Sequence, residues 1–260
     1  MNEYLILIII LFVFVNAWFI ISLITKRNDV ADIAWGLGFI LLTWSSFWMA
    51  AKYGTRGLLT GLLISIWGIR LAWHIYTRNK GKAEDYRYLT WRKQWGKWFL
   101  LRSYFQVFIL QGIFLYLIVF PVILINKSAD TSLIWLDILG LLLWLIGFYF
   151  EAVGDAQLVR FKKNAANKGK LLQDGLWAYT RHPNYFGEVL QWWGIGIIAL
   201  SVKDGWMGLI GPLTISFLIL KVSGIPMLEK NMASHPDFKN YKEKTNAFFP
   251  RMSLSRKDKV

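Results

Sequence analysis

The stretch that decides the fold is LILIIILFVFVNAWFIISLIT, residues Leu5–Thr25, which contains no charged side chain. A helix needs about 20 predominantly apolar residues to cross the hydrocarbon core of a bilayer. This run reaches that length, and it has neither the short apolar core nor the small-residue cleavage site of a signal peptide. It is therefore predicted to be a retained transmembrane helix.

The rest of the chain repeats this pattern. Hydrophobic residues make up 55% of the 260 residues and aromatic residues 17%, both more than in an average soluble domain. Hydropathy and length predict seven spans, at roughly 4–25, 31–51, 57–77, 103–125, 133–154, 184–201 and 205–225. The fold class is therefore predicted to be all-α, a polytopic integral membrane bundle of seven transmembrane helices. With no internal repeat or low-complexity linker, a single domain over 1–260 is expected.

The basic residues predict the orientation of this bundle. Of the 30 Lys and Arg residues, 25 lie in four segments that an outside N-terminus would place on one side: 26–29, 78–102, 155–183 and 221–260. Cytoplasmic loops carry an excess of Lys and Arg. We therefore predict an N-out, C-in topology, with the loops and C-terminal tail on the cytoplasmic side.

Composition and motifs exclude several classes of function. A net charge of +14 is explained by basic loops that face anionic lipid, so no nucleic-acid partner is expected. The chain has no cysteine, and its three histidines lack metal-ligand spacing, so no metal is expected. It also has no dinucleotide fingerprint after a strand, no P-loop and no nucleophile elbow.

The stretch TRHPNYFGE, Thr180–Glu188, concentrates polar chemistry directly before the apolar run VLQWWGIGIIAL. Pro183 suits the first turn of a helix, so the helix is predicted to start near Asn184. Asn184, Glu188 and Gln191 then recur at helical spacing as a polar stripe. The stretch is interpreted as an anion- and ring-binding corner, in which two glycines further along the helix, Gly187 and Gly194, let a backbone or a flat ligand approach closely.

Two carboxylates mark the end of the fifth span. Glu151 and Asp155 are four residues apart and share one helix face. They precede the basic residues Arg160, Lys162 and Lys163. This helix end either grips a phosphorylated ligand or is simply solvated, and the sequence leaves both interpretations open.

Three further polar groups lie near the predicted spans. Arg70, His74 and Arg78 form one stripe, either an interfacial basic edge or part of a site. The segment GKAEDYRYLTWRKQWGKW, residues 81–98, has the composition of an amphipathic interfacial helix. Asp32 either caps the second span or faces a cavity, with Asp29 better placed for the capping role.

The segment 223–252 is rich in aromatic and polar residues, which is unlike a disordered tail. It is expected to fold back and close the site, so that the cofactor half covers about 133–250. The final residues, 253–260, are interpreted as an ordinary basic end.

Taken together, four motifs resemble those of the steroid 5α-reductase family, especially its bacterial branch. They are DIAWGLGF at 32–39, RLAWHIYTRNKGKAEDYRY at 70–88, GLWAYTRHPNYFGE at 175–188 followed by WWG, and TNAFFP at 245–250. The R-H-P-x-Y-x-G core alone is also similar to isoprenylcysteine carboxyl methyltransferases. The resemblance implies a reductase of the bacterial inner membrane that uses NADPH to reduce a carbon–carbon double bond conjugated to a carbonyl in a lipophilic substrate.

The resemblance also implies cofactor-binding residues. Asn184 and Glu188 match the family's N-x-x-G-E corner at the nicotinamide end, and Asp155 matches its aspartate at the end of the fifth span. The further cofactor-binding candidates are Arg160 and Lys162 at the phosphates, Arg181, His182 and Tyr185 in the same corner, and Glu229, Lys230 and Tyr241 in the tail.

For catalysis, the resemblance implies that an acid on the second span and a tyrosine on the third polarise the carbonyl. Asp32 and Tyr76 are the nearest residues in this sequence, although Tyr76 lies off the stripe of Arg70, His74 and Arg78. Two alternatives stay open. One is an S-adenosylmethionine-dependent methyltransferase of a lipid or isoprenylcysteine-type acceptor, and the other is a lipid-binding or transport protein without catalysis.

Overall fold

A computed structural model of the chain describes residues 2–128 and 132–251. In that part of the chain every regular element is helical, and the only extended pairing is an isolated parallel bridge between Thr180 and Asn246. The α-helices are α1 (Glu3–Thr25), α2 (Val30–Trp48), α3 (Thr55–Asn79), α4 (Tyr86–Trp95), α5 (Phe99–Ser103), α6 (Leu110–Lys127), α7 (Trp135–Lys163), α8 (Pro183–Ala199), α9 (Ile210–Phe217), α10 (Ile225–Met232) and α11 (Phe238–Lys244). The all-α prediction is confirmed for these residues, whereas the predicted basic end at 253–260 lies outside them.

Six helical stretches among the described residues are long and apolar enough to cross a membrane. They are Glu3–Thr25, Val30–Trp48, Thr55–Asn79, Tyr86–Lys127, Trp135–Lys163 and Gly205–Met232. These match six of the seven predicted spans. Helix α8 has 17 residues, fewer than the roughly 20 that a crossing needs. The sixth predicted span, at 184–201, therefore stays a prediction, as do the count of seven spans and the N-out, C-in orientation.

Two of these stretches contain short π-helical segments, Tyr104–Ile109 between α5 and α6, and Leu218–Val222 after α9. The first stretch also contains a 3₁₀ turn at Gly96–Trp98, where Gly96 has a φ of +49°. A positive φ favours glycine because it has no Cβ. The predicted interfacial segment 81–98 thus ends at a bend that separates it from the apolar stretch that follows.

The described chain divides into two compact units. The first comprises Met1–Asp137 and Ile198–Gly211, and the second comprises Ile138–Ile197 and Pro212–Val260. The expectation of a single domain stays a prediction.

The first unit has an apolar core supplied largely by α1, α2, α3 and α6, in which Phe39, Leu42 and Ile118 are fully buried. A buried ion pair links the start of α3 to the start of α7. Arg56 donates to both carboxylate oxygens of Asp137 over 2.7 and 2.9 Å, and each residue is 1% exposed. Such a pair constrains the fold strongly because either charge alone would be costly to bury.

In the second unit, α7 and α8 touch backbone to backbone. A Cβ built on Gly147 would lie 2.6 Å from the carbonyl oxygen of Gly187, and one built on Gly194 would lie 2.5 Å from that of Gly140. Any larger residue would push the helices apart. The prediction that Gly187 and Gly194 admit a closely approaching backbone is confirmed, and this contact brings the polar side chains of α7 and α8 within reach of each other.

Candidate functional site

Polar side chains of α7 and α8 pair across the glycine contact. Asn184 donates to Asp155 over 3.1 Å, and Gln191 donates to Glu151 over 2.5 Å. Asp155 is 7% exposed, and Glu151 and Gln191 are each 2% exposed. Buried polar groups need such partners to offset their desolvation. The two carboxylates that the sequence places on one face of α7 therefore both meet amides of α8.

The start of α8 is fixed by the segment before it. Helix α8 begins at Pro183, one residue from the predicted start at Asn184. In the preceding segment, the indole N–H of Trp177 donates to the carbonyl of Gly154 over 3.1 Å, and the side chain of Gln157 accepts from the amide of Leu176 over 3.0 Å. Both acceptors lie on α7, so the polar corner is attached to that helix as well.

Arg181 makes the largest set of contacts in the corner. Its guanidinium donates to one carboxylate oxygen of Glu229 over 2.9 and 2.6 Å and to the backbone carbonyls of Lys242 and Thr245. Its backbone amide donates to the carbonyl of Asn246 over 2.9 Å. Arg181 is 4% exposed, so these contacts to the C-terminal segment occupy its side chain.

His182 completes this cluster. Its Nε2 lies 3.3 Å from the same oxygen of Glu229, and its ring stacks on Tyr185 with centroids 5.7 Å apart. His182 is 1% exposed, and its Nδ1 has no hydrogen-bond partner among the described residues. Arg181 and His182, which the resemblance assigns to one corner, thus both contact Glu229 of the C-terminal segment.

Tyr241 attaches the C-terminal segment at a second point. Its hydroxyl donates to the carbonyl of Trp177 over 2.6 Å, and the residue is 3% exposed. Burial raises the pKa of Tyr241, with the charge of Arg181 acting in the opposite direction and that of Glu229 adding to the rise. The tail therefore folds back onto the segment before α8 through neutral and charged hydrogen bonds, as expected from its composition.

The remaining cofactor candidates are more accessible. Arg160 and Lys162 are exposed on the last turn of α7, and Lys230 is exposed on α10 next to Glu229. Glu188 and Tyr185 are half-buried on the first two turns of α8. These side chains lie on the same elements as the corner, while their role in binding stays a prediction.

In the first unit, Asp32 is held by α4. One carboxylate oxygen accepts from the hydroxyl of Tyr88 over 2.8 Å, and the other accepts from Arg87 over 2.5 Å. Arg78 approaches the second oxygen to 3.9 Å. Tyr88 is 2% exposed. Asp32 thus acts as an acceptor for a phenol and a guanidinium.

Tyr76, the other catalytic candidate, is not among the residues that the structure shows bonded to Asp32, which are Arg87 and Tyr88. Its side chain is 43% exposed, its ring lies 5.9 Å from that of Trp73, and the ammonium of Lys80 lies 5.9 Å from its centroid. The phenol next to Asp32 is Tyr88. Sequence reasoning missed this partner, although the E-D-Y-R-Y stretch that contains it was recognised as part of a motif.

Asp29 stands at the N-terminus of α2, as its position in the sequence indicates. Asp29 occupies the N-cap position, but its carboxylate makes no capping hydrogen bond. It accepts instead from Arg27 over 2.9 and 2.6 Å and from the backbone amide of Asp85 over 3.2 Å. A bidentate charged donor is a stronger partner than a helix amide.

Asp85 occupies the N-cap of α4, where its side chain accepts from the amide of Arg87 over 3.0 Å. Burial by itself would raise the pKa of Asp85, but the hydrogen bonds and charge of Arg87, together with the charge of Arg78, outweigh it. The pKa of Asp85 is therefore lowered. The carboxylate form of Asp85 stabilises the start of α4.

A metal centre is not indicated in this part of the chain. Over residues 2–128 and 132–251, no group of three or more His, Cys, Asp or Glu residues is arranged to hold a metal ion.

Comparison with known proteins matches most of the chain to one protein family. The model of the family described as "Protein of unknown function (DUF1295)" matches residues 18–245. An uncharacterised protein of Schizosaccharomyces pombe is 24% identical to the chain, over 100% of this chain and 83% of that protein.

Shorter matches join the chain to named proteins. A steroid 5α-reductase of Gossypium hirsutum is 32% identical over 28% of this chain and 27% of its own length. A 3-oxo-5α-steroid 4-dehydrogenase of Bos taurus is 36% identical over 26% of each chain. The chain thus covers about a quarter of the length of these two relatives. No solved structure matches the chain.

The family match covers most of the chain, and the resemblance drawn from the four motifs agrees with the matches to named steroid reductases. The chain belongs to the DUF1295 family, which is the steroid 5α-reductase-like family.

Proposed function

We propose that the protein is a membrane-bound, NADPH-dependent reductase of a carbon–carbon double bond conjugated to a carbonyl in a lipophilic substrate. The cofactor would bind at the corner formed by α7, the start of α8 and the C-terminal segment, on the cytoplasmic side of the membrane. The observation that carries the proposal is the part-buried hydrogen bond from Asn184 to Asp155, because it joins two side chains that the resemblance assigns to the cofactor.

The chemistry of this corner fits a dinucleotide. A carboxamide needs both a donor and an acceptor, and Asn184 and Glu188 offer these on neighbouring turns of α8. Phosphates need cations, and Arg160 and Lys162 are exposed on the last turn of α7, the helix that carries Asp155. The corner thus contains groups suited to both ends of the cofactor.

Two buried atoms give an independent test of this fit. Nδ1 of His182 and Oε1 of Gln191 are buried and lack hydrogen-bond partners among residues 2–128 and 132–251. Because buried polar atoms in folded proteins nearly always have a partner, polar groups of a bound molecule would stabilise them. The residues present therefore fit a polar cofactor at this corner.

The residues around Asp32 suggest how the substrate carbonyl would be held. Reduction of the conjugated double bond adds a hydride at the β-carbon, which the nicotinamide of a bound NADPH supplies, and a proton at the α-carbon. A hydrogen-bond donor at the carbonyl oxygen would stabilise the negative charge that develops there. Asp32 accepts from Arg87 and Tyr88, so in this arrangement a tyrosine hydroxyl is the better donor.

We assign that donor role to Tyr76, whose side chain is 43% exposed and therefore accessible. Asp32 would orient the surrounding side chains through Arg87, Tyr88 and the nearby Arg78. Tyr88 is the rival donor, and its hydroxyl would first have to leave Asp32.

The experiment that tests the proposal is a thermal shift of the detergent-purified protein with NADPH or S-adenosylmethionine. A ligand present at about 100 times its dissociation constant stabilises a protein by roughly 2.7 kcal/mol. Selective stabilisation by NADPH is expected, followed by NADPH oxidation with an enone lipid. Selective stabilisation by S-adenosylmethionine would refute the reductase and support methyl transfer, and stabilisation by neither cofactor would favour a lipid-binding protein.

A matched pair of variants locates the site. Asn184→Ala is expected to reduce the NADPH-dependent shift because it removes the amide that pairs with Asp155. Asn240→Ala, an exposed asparagine on α11, is expected to retain the full shift. An undiminished shift in Asn184→Ala would exclude the corner as the NADPH site.

A further inference from the structure

The two arginines of α4 both form ion pairs with carboxylates. Arg87 donates to Asp32 over 2.5 Å, and Arg92 forms an ion pair with Glu84 over 3.1 Å. The guanidinium of Arg92 also lies 4.0 Å from the ring centroid of Phe99. Both arginines therefore have partners inside the first unit.

Two lysines, one on α4 and one in the 3₁₀ turn that follows it, differ from these arginines. Lys93 and Lys97 are exposed, and neither forms an ion pair with a carboxylate within the described part of the chain. The ammonium of Lys97 lies 5.8 Å from the ring centroid of Trp98. The ammonium groups of Lys93 and Lys97 are therefore two exposed cations on this part of the surface.

Large apolar side chains flank the two lysines. Tyr86 is 48% exposed and Leu89 is 39% exposed on α4, and Trp98 is 55% exposed immediately after Lys97. The chain then enters the apolar part of the stretch Tyr86–Lys127, which is long and apolar enough to cross a membrane. Exposed Lys, Tyr and Trp at the end of a membrane span are typical of the headgroup layer.

We propose that Tyr86, Leu89, Lys93, Lys97 and Trp98 form a docking surface for the headgroups of anionic phospholipids, here called the α4 surface. The lysines bind the lipid phosphates by charge, and the apolar side chains insert beside the acyl chains. A water-soluble acidic partner would leave the apolar side chains unsatisfied, whereas a lipid accommodates both kinds of group. This inference depends on membrane insertion and holds whether or not the protein is a reductase.

The test uses the full chain in phosphatidylcholine vesicles that contain a trace of spin-labelled lipid. The motionally restricted fraction of the label gives the association of phosphatidylglycerol relative to phosphatidylcholine. We expect the wild type to prefer phosphatidylglycerol. Since a basic residue near an anionic surface contributes about a factor of five, Lys93→Gln combined with Lys97→Gln should lower that preference several-fold. Replacement of both residues by arginine should retain it.

The matched control removes the same charge elsewhere. Lys52 and Lys203 are exposed and lie in loops predicted to be on the opposite side of the membrane. Replacing both by glutamine should leave the preference unchanged. An equal loss in this control, or no loss in the Lys93 and Lys97 variant, would overturn the proposal. Competition by inorganic phosphate beyond that of chloride at equal ionic strength would indicate a small-anion site and would also overturn it.

Discussion

Replacing Glu229 by glutamine separates the two roles open to this residue, attachment of the C-terminal segment and contact with the cofactor. One oxygen of Glu229 accepts two hydrogen bonds from Arg181, over 2.9 and 2.6 Å, and lies 3.3 Å from Nε2 of His182. Glutamine keeps the shape and one carbonyl oxygen but removes the charge. The guanidinium of Arg181, whose side chain is only 4% exposed, would then lose its carboxylate partner.

The size of the effect follows from these contacts. Breaking a buried ion pair by removing one charge costs about 3–5 kcal/mol. The cost here should be smaller, about 2 kcal/mol, because the side chain of Glu229 is 16% exposed and solvent screens part of the interaction. Arg181 also keeps the carbonyls of Lys242 and Thr245. A change of about 2 kcal/mol corresponds to roughly a 30-fold larger population in which the C-terminal segment is detached.

Limited proteolysis measures that population. Trypsin cleaves after lysine, and Lys239, Lys242 and Lys244 lie on α11, which the hydrogen bond from Tyr241 to Trp177 holds in place. We expect cleavage there to require that this helix detaches and unfolds. When opening is fast relative to cleavage, the cleavage rate follows the open population. Cleavage at these lysines, followed by mass spectrometry, is therefore expected to accelerate about 30-fold in Glu229→Gln.

Glu243→Gln is the matched control, because Glu243 is exposed on α11 and forms no ion pair with residues 2–128 or 132–251. It should be cleaved at the wild-type rate. The reasoning is refuted if Glu229→Gln is also cleaved at the wild-type rate. If the NADPH-dependent thermal shift is lost at the same time, Glu229 acts on the cofactor and not on the tail.

Three further outcomes are expected. Asp137→Asn should destabilise the protein by about 3–5 kcal/mol in a denaturant titration, because it leaves Arg56 buried without its carboxylate; an unchanged midpoint would contradict this. Tyr76→Phe should lower kcat about 10²-fold or more with little change in KM, by the loss of one donor at the developing oxyanion, and a larger loss in Tyr88→Phe would transfer that role to Tyr88. Asp85→Asn should lower Tm at neutral pH, and the difference should vanish as pH falls through the lowered pKa of Asp85, since its stabilisation exists only above that range; a difference that persists in acid would exclude the charge as its cause.

Much of the fold could be predicted because hydropathy is a local property of the chain. The first span, predicted at 4–25, is a helix over Glu3–Thr25. The second span was predicted at 31–51, but its helix ends at Trp48. The prediction ran too far because Met49, Ala50 and Ala51 are apolar, so hydropathy stays high after the helix has ended. Hydropathy also failed to predict the bend at Gly96, whose φ is positive. A single glycine has little effect on the mean hydropathy of a stretch, although it can change the direction of the chain.

The hydrogen-bonded pairs between α7 and α8 in the candidate site could not be predicted from the residue spacing within each helix. Periodicity placed Glu151 with Asp155 on one face of α7 and Asn184 with Gln191 on one face of α8. It could not match each acid to its amide, because Asp155 and Asn184 are 29 residues apart. The match depends on the close approach at Gly147 and Gly187, a tertiary contact in which only one of the two glycines had been singled out.

The contrast between Asp29 and Asp32 explains why motif residues need not all touch a ligand. Both acids stand where a helix N-terminus would accept them, and each instead binds an arginine, Arg27 for Asp29 and Arg87 for Asp32. Arg87 and Tyr88 come from the E-D-Y-R-Y stretch, so this part of the motif attaches α4 to the start of α2. Residues of a family motif can therefore serve to hold helices together next to a site without contacting the ligand themselves. The residues that act on the substrate must then be identified by accessibility and by mutation, which is why Tyr76 and Tyr88 have to be tested against each other.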